Sequence, residues 1–241
     1  MQKKQHWKKG FLDALPIGLS LLVFGAIFGL MSIQADLSAW QSMAMSLIVF
    51  AGSAQFATLS MLTDGVNFWM IVLTTFLINS RHFLMGLSMS PYYKGFSTTY
   101  TNVMAFFLID EQYAIKLNHF RNHLPNKYYI IAVSLTLYLT WFIGTSIGTV
   151  AGSWIPDPEK LGLGFSFTAM FLALVYFQLT SLKKVIVFIV CGGLAILLTL
   201  LLPNGLNLLI TGIVAFLIGF VSKEDKEQPR EALAITEEKG A

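Results

Sequence analysis

Three polar residues, Asn79, Arg81 and His82, interrupt an apolar run that extends from residue 68 to residue 87. Apart from them, the run is long and apolar enough to cross a bilayer as one helix. A guanidinium group in hydrocarbon costs on the order of 2.5 to 3.5 kcal/mol even on the most lenient scale, and ionisable residues at this depth usually have a function. Arg81 therefore requires a partner, and chemistry is expected around it.

Asp110 and Glu111 are the carboxylates that can supply this partner. They interrupt the next apolar segment, residues 101–117, which would run antiparallel to the arginine segment and would place Asp110 at a similar depth. In hydrocarbon, a guanidinium and a carboxylate satisfy each other's hydrogen bonds, which neither can do alone. We predict that Arg81 contacts Asp110, or failing that Glu111. The pair would either form one wall of a substrate site or act as a structural clamp between helices.

His82 and Asn79 lie on one stripe of the helix, since residues three and four apart share a face. A histidine gains or loses a proton near neutral pH, which is the property that a proton-coupled carrier requires. A neutral histidine that is hydrogen-bonded to a neighbour would have no such role. Asn79 is likewise a candidate ligand, although membrane asparagines more commonly form hydrogen bonds between helices.

A second polar cluster, Gly52, Ser53 and Gln55, lies inside the apolar segment 40–62. Small residues allow two helices to approach closely, and Gln55 would then be an interhelical hydrogen-bonding group. Alternatively, the segment unwinds here and presents backbone N–H groups to an anionic part of a substrate. Both interpretations remain open from the sequence.

The elements that hold these residues are predicted to be transmembrane helices. The chain is 55% apolar and 12% charged, with a mean hydropathy of +0.66, whereas soluble domains contain about 25% charged residues. This composition predicts an all-α integral membrane protein, a polytopic helical bundle. Eight segments have the length of a span: 12–33, 40–62, 67–89, 101–117, 128–150, 163–181, 185–202 and 206–222. The alternative has seven spans, with a short re-entrant fourth segment.

The basic residues predict the orientation. With eight spans, the lysines before the first span and those around residues 116–127 and 183–184 all lie on one side, which is then cytoplasmic. Lys116 and Arg121 are interpreted as topology determinants that face anionic lipid. Residues 1–222 are predicted to form a single transmembrane domain, and residues 223–241 a disordered cytoplasmic tail. The expected location is a plasma membrane of the bacterial inner-membrane type, with both termini in the cytoplasm and no nucleic-acid partner.

Two glycine pairs, Gly25 with Gly29 and Gly144 with Gly148, have the spacing of closely packed membrane helices. An internal duplication would explain them equally well. The single cysteine, Cys191, excludes an intramolecular disulfide and is interpreted as a packing residue. No phosphate-binding loop, His-Glu-x-x-His or Gly-x-Ser-x-Gly motif is present, so we expect no ATP drive of its own, no metal and no cofactor. An intramembrane enzyme that uses His82 with Asp110 or Glu111 remains an alternative, as does a scaffold for a transport path formed by a partner.

Four motifs, in this order and spacing, resemble the AzlC family: Leu15-Pro-Ile-Gly18, Phe50-Ala-Gly-Ser-Ala-Gln-Phe56, Asn79-Ser-Arg-His82 and Asp110-Glu-Gln-Tyr-Ala114. The resemblance is sharp over the first four segments only. It implies that the chain is the larger component of a two-part exporter of branched-chain amino acids and works with a small membrane protein of the AzlD type. Without an ATP motif, such export would use an ion gradient, and we expect protons to be carried by His82, Asp110 or Glu111.

Overall fold

A computed structural model describes residues 2–152, 181–201 and 206–221, together with Trp154, Leu172, Val175, Tyr176 and Leu179. All the secondary structure in these residues is helical. The helices are α1 (Gln2–Gln34), α2 (Ala39–Ile48), α3 (Gly52–Thr63), α4 (Phe68–Asn79), α5 (Arg81–Met89), α6 (Thr98–Phe106), α7 (Asp110–Phe120), α8 (Lys127–Gly152), α9 (Leu182–Leu201) and α10 (Leu206–Val221), with a 3₁₀ turn at Ser90–Tyr93.

Among the described residues, four helical stretches are long and apolar enough to cross a membrane: Lys3–Gln34, Phe68–Tyr93, Lys127–Gly152 and Leu182–Leu201. The predicted class, an all-α protein with several membrane helices, is therefore confirmed. The predicted span 163–181 lies almost entirely outside the described residues, and the predicted tail 223–241 lies wholly outside them. The chain divides into two compact units, one containing residues 1–52 and 80–154, the other residues 53–79 and 155–226.

The first unit is built on α1 and α8, which pack in parallel along their whole length. Gly10 lies against Tyr129 near the start of both helices, and Gly152 lies against Ile33 near their ends. The two predicted glycine pairs lie in this one interface. A Cβ atom on Gly144 or Gly148 would collide with the backbone carbonyl oxygen of Leu22 or Ala26, respectively. Close packing thus accounts for both pairs, because only glycine lets the two backbones approach so closely.

The segment 40–62 was predicted to be one span, with an unwound stretch around Gly52 as the alternative, and the uninterrupted helix is wrong. α2 ends at Ile48, Phe50 adopts a left-handed backbone with φ of 43°, and α3 begins at Gly52. Contacts with α8 explain the interruption. The Tyr138 hydroxyl donates a hydrogen bond of 2.9 Å to the Leu47 carbonyl, one of the oxygens that a helix end leaves without a partner. Tertiary hydrogen bonding thus replaces the helical bonds that end at this point.

The segment 101–117 was predicted to be one span, with a short re-entrant segment as the alternative, and the single continuous helix is wrong. α6 and α7 form a hairpin that starts and ends beside the first turns of α8. The Tyr100 hydroxyl donates a hydrogen bond of 3.2 Å to the Lys127 carbonyl oxygen. The His119 ring stacks on the Tyr129 ring, with 3.6 Å between the ring centres. The turn of the hairpin reaches Tyr138, about 16 Å further along α8 at 1.5 Å per residue. This is about half the thickness of a bilayer core.

The interruption between α6 and α7 has a local cause. Ile109 adopts an extended backbone, and Asp110 and Glu111 then occupy the first turn of α7. Acidic side chains stabilise a helix at its N-terminus because they interact favourably with its dipole. The two carboxylates that made this segment a doubtful span therefore favour the beginning of a new helix.

The segment 67–89 is interrupted at one residue only. α4 ends at Asn79 and α5 begins at Arg81, and the intervening Ser80 has helical angles of −55° and −27°. By length and composition, Phe68–Tyr93 is one candidate membrane helix with a local defect beside the polar cluster. In the second unit, α10 packs against both α4 and α9, and Gly212 of α10 lies next to Leu77 of α4.

Candidate functional site

Arg81 and Asp110 form the predicted ion pair. An Nη atom of Arg81 lies 2.9 Å from a carboxylate oxygen of Asp110, and the two side chains are 31% and 43% exposed. Each residue is the first of its helix, α5 and α7 respectively. A second contact holds the same two helices together, a hydrogen bond of 2.9 Å between Ser88 and the Tyr113 hydroxyl. The pair is thus positioned by backbone elements and remains open to a ligand.

His82 and Glu111 complete a cluster of four ionisable residues. His82 lies within electrostatic reach of Arg81 and Asp110, and Glu111 lies within reach of the same two residues. Both side chains are at least half buried. The structure therefore brings together the four ionisable residues that the sequence singled out, with a cation and a carboxylate side by side. This arrangement matches the carboxylate and the ammonium group of a zwitterion.

The other predicted site residues have different positions. Gly52 lies against the Trp141 ring, 3.0 Å from where a Cβ atom would be, directly after the interruption between α2 and α3. It therefore combines the close contact and the unwound backbone that the sequence offered as alternatives. Ser53, Gln55 and Asn79 belong to the second unit. Ser53 and Gln55 are buried, and the Asn79 Oδ1 atom has no hydrogen-bond partner within the described residues.

Tyr138 is a residue that sequence reasoning missed. Its ring makes edge contacts with Phe50 at 5.0 Å and with Phe107 at 5.2 Å, while its hydroxyl binds the Leu47 carbonyl. One side chain thus contacts both interrupted helices. Nothing in the sequence around Tyr138 indicates this, because both contacts depend on interruptions that hydropathy does not predict.

Lys116 was predicted to face anionic lipid, and this prediction is wrong. The side chain is fully buried, and its Nζ atom donates to Gln112 and to Ser134 of α8. The available sequence signal was the spacing of Gln112 and Lys116, because residues four apart lie on one face of a helix.

A polar cavity of about 500 Å³ lies between the start of α1, the end of α7 and the start of α8. Burial, reinforced by the neighbouring His123 and Lys9, lowers the pKa of His119 to about 4. His119 is therefore neutral at physiological pH. None of the four residues of the ionisable cluster, Arg81, His82, Asp110 and Glu111, lines this cavity. Six of its lining residues are polar: Lys9, Asp13, Asn118, His119, Asn122 and His123.

Comparisons with known proteins identify relatives over most of the chain. A family model described as AzlC protein matches residues 16–155. The inner membrane protein YgaZ of Escherichia coli is 30% identical over 183 residues, 73% of either chain. The branched-chain amino acid transport protein AzlC of Bacillus subtilis is 28% identical over 189 residues, 76% of this chain and 73% of the relative. A membrane protein of Archaeoglobus fulgidus is 27% identical over 217 residues, 89% and 92% of the two chains.

No solved structure matches the chain significantly. The relatives support a role in membrane transport and agree with the membrane helices of the structure. The family match covers α1 to α8, which include the Arg81–Asp110 pair. This chain belongs to the AzlC family.

Proposed function

We propose that this chain is the large subunit of a secondary transporter that exports branched-chain amino acids from the cytoplasm. The observation that carries the proposal is the ion pair between Arg81 and Asp110, which is held by two helix starts and remains about a third exposed. The name of the Bacillus subtilis relative supports the substrate class. Membership of the family supports a small AzlD-type membrane subunit as the partner.

In this proposal, the substrate replaces the internal ion pair. Its carboxylate binds the Arg81 guanidinium, its ammonium group binds the Asp110 carboxylate, and its aliphatic side chain lies among apolar residues of the same region, such as Phe107. Charge-assisted hydrogen bonds of this kind are stronger than neutral ones. The energy comes from the proton gradient, and His82, Asp110 and Glu111 are the candidate proton carriers beside the substrate.

The function is tested by efflux. Cells loaded with a leucine-containing dipeptide release leucine, and we expect faster release when this chain and a small AzlD-type subunit are expressed together. The same measurement with each subunit alone distinguishes a complete carrier from a scaffold, because a scaffold gives no efflux without its partner. Identical efflux with and without the pair, for each branched-chain amino acid, would contradict the proposal.

We further propose a topology of eight membrane segments, six of which cross the membrane. The parallel packing of α1 and α8 supports this, because both helices then begin on the same side. An odd number of crossings must separate them, and the α6–α7 hairpin turns back without crossing. Only one of the segments 40–62 and 67–89 therefore crosses, and 67–89 is the one without a change of direction. Segment 40–62 re-enters at the Phe50 interruption.

This topology keeps both termini of the single membrane domain, residues 1–222, in the cytoplasm, together with the tail 223–241. The basic loops support it. The Lys3 ammonium lies 5.7 Å from the ring centre of Tyr128, so the basic N-terminus and the basic loop before α8 share one side. In this topology Lys94 also lies on the cytoplasmic side. A topology with eight full crossings would place it outside. Cytoplasmic loops are enriched in such residues.

Cysteine labelling distinguishes the two topologies. In a Cys191→Ser background, we expect Asp64→Cys to react with a membrane-impermeant maleimide in intact cells, because the loop after α3 lies outside. Asn122→Cys, in the loop before α8, is the matched control and should react only after permeabilisation. Protection of position 64 in intact cells would mean that segment 40–62 crosses.

A further inference from the structure

Lys116 is buried in a way that is unusual for a lysine. Its side chain on α7 has no exposed surface. The Nζ atom donates a hydrogen bond of 2.5 Å to Gln112 Oε1, one turn earlier, and another of 3.0 Å to Ser134 Oγ of α8. Lysine is almost never fully buried without a charged partner. Neither of its two partners carries a charge.

Gln112 and Ser134 are held in place by further contacts. Gln112 Nε2 donates to the Ser134 carbonyl at 3.5 Å, which turns Oε1 towards the lysine. The Ser134 hydroxyl lies 3.2 Å from that same Oε1 atom and 3.9 Å from the Met104 sulfur. A serine hydroxyl rotates and can either donate or accept. This hydroxyl can therefore accept a hydrogen bond from an ammonium group or donate one to a free amine.

The charged groups around Lys116 lie elsewhere on the packed helices. Within the described residues, no carboxylate lies within 4.0 Å of its Nζ atom. His119 of α7 and His123 of the following loop line the polar cavity with Lys9 and Asp13 of α1 and Tyr129 of α8. On α5, Arg81 pairs with Asp110 at the start of α7, with His82 and Glu111 beside them. The amine thus has neutral partners that suit both its protonated and its free form.

We propose that Lys116 is a proton-binding site of the transport cycle. In the protonated form, the ammonium donates to Gln112 and Ser134. When the proton leaves to water, the free amine still donates a hydrogen bond to Gln112, and its lone pair accepts a hydrogen bond from the Ser134 hydroxyl. Burying an ammonium without a counter-ion costs several kcal/mol, so each protonation state favours a different packing of α7 on α8. This inference rests on the proposed function.

The site has a direct structural link to the proposed substrate site. Lys116 follows Asp110 by six residues on the same helix, about 9 Å at 1.5 Å per residue. A change in how α7 packs at Lys116 therefore moves the carboxylate that pairs with Arg81. Proton release at one position and substrate binding at the other would be coupled through a single short helix.

The proposal is tested in vesicles that contain the complete transporter with its partner subunit. We expect Lys116→Gln to keep leucine counterflow but to lose acceleration of net leucine efflux by an imposed pH gradient. The loss should be about 5- to 150-fold, the usual range of coupling between two ligands. Lys94→Gln, an exposed lysine on the same unit, should retain the acceleration. Retained acceleration in Lys116→Gln would overturn the proposal.

Two further measurements keep the test decisive. If Lys116→Gln does not fold, Ser134→Ala takes its place, since it removes only the hydroxyl that adapts to both forms; an unchanged pH profile of efflux would then overturn the proposal. Proton release of the purified protein between about pH 5 and pH 9 needs no substrate, and an ordinary lysine stays charged over this range. We expect Lys116→Met to release one proton fewer than the wild type. If leucine is not transported but this proton is found, the proposed function fails and the proton site stands.

Discussion

Removing one member of the Arg81–Asp110 pair should harm the protein more than removing both. We expect Arg81→Met and Asp110→Leu each to destabilise it, because each leaves an uncompensated charge in an apolar setting. The double variant should regain stability, with a coupling energy of about 1 to 2 kcal/mol, between the values for exposed and buried pairs. Leucine efflux should be abolished in all three, because the substrate needs both groups.

The measurements are thermal unfolding in detergent and leucine efflux for the wild type and the three variants. Recovery of stability without efflux supports a pair that serves the substrate or its coupling ion. Recovery of both would mean a structural clamp. Strictly additive losses of stability would show that the two side chains do not interact, because a double-mutant cycle isolates the pairwise energy.

The second large effect is expected in the glycine interface of α1 and α8. Gly148→Ala places a Cβ atom against the backbone carbonyl oxygen of Ala26. A backbone group has no alternative rotamer, so it cannot move aside as a side chain can. We expect a loss of stability of about 1 to 3 kcal/mol, the usual cost of overpacking. Gly192→Ala in α9 is the matched control, because no atom of the described residues lies within 4 Å of the added Cβ atom. The control should be neutral or stabilising, since alanine is favoured over glycine in a helix.

Both variants are compared by thermal unfolding of the purified protein. Equal unfolding temperatures of the two alanine variants would show that the helices do not meet as closely as the structure indicates.

Hydropathy and charge sufficed to predict the membrane class, the long helices α1 and α8 and the Arg81–Asp110 pair. The pair was predictable because an intramembrane arginine needs a partner, and few carboxylates were available. The interruptions at Phe50 and between α6 and α7 were not predictable in the same way. At the first, the backbone leaves the helix where a distant residue, Tyr138, makes the contacts. At the second, Asp110 and Glu111 favour a helix start, but they do not specify that the chain turns back there.

The burial of Lys116 is a second feature that the sequence could not predict. A lysine near the end of an apolar segment is normally interpreted as a cytoplasmic marker, since most such residues reach water or lipid head groups. Its burial depends on Ser134, on a different helix, and on a hairpin that turns the end of α7 back against α8. The local sequence shows the i to i+4 spacing of Gln112 and Lys116. It does not show that Ser134, on another helix, is the second hydrogen-bond partner of the lysine.

The interface of α1 and α8 also determines which parts of the protein can move. Shifting one helix along the other by a single residue would drive a side chain into a backbone carbonyl at several glycines simultaneously. The two helices should therefore behave as one rigid frame during a transport cycle, as closely packed interiors do. The parts that move to open the protein to either side of the membrane would then be the interrupted segments. Tyr138 belongs to the rigid frame and contacts both interruptions, so the segments would rotate about this residue.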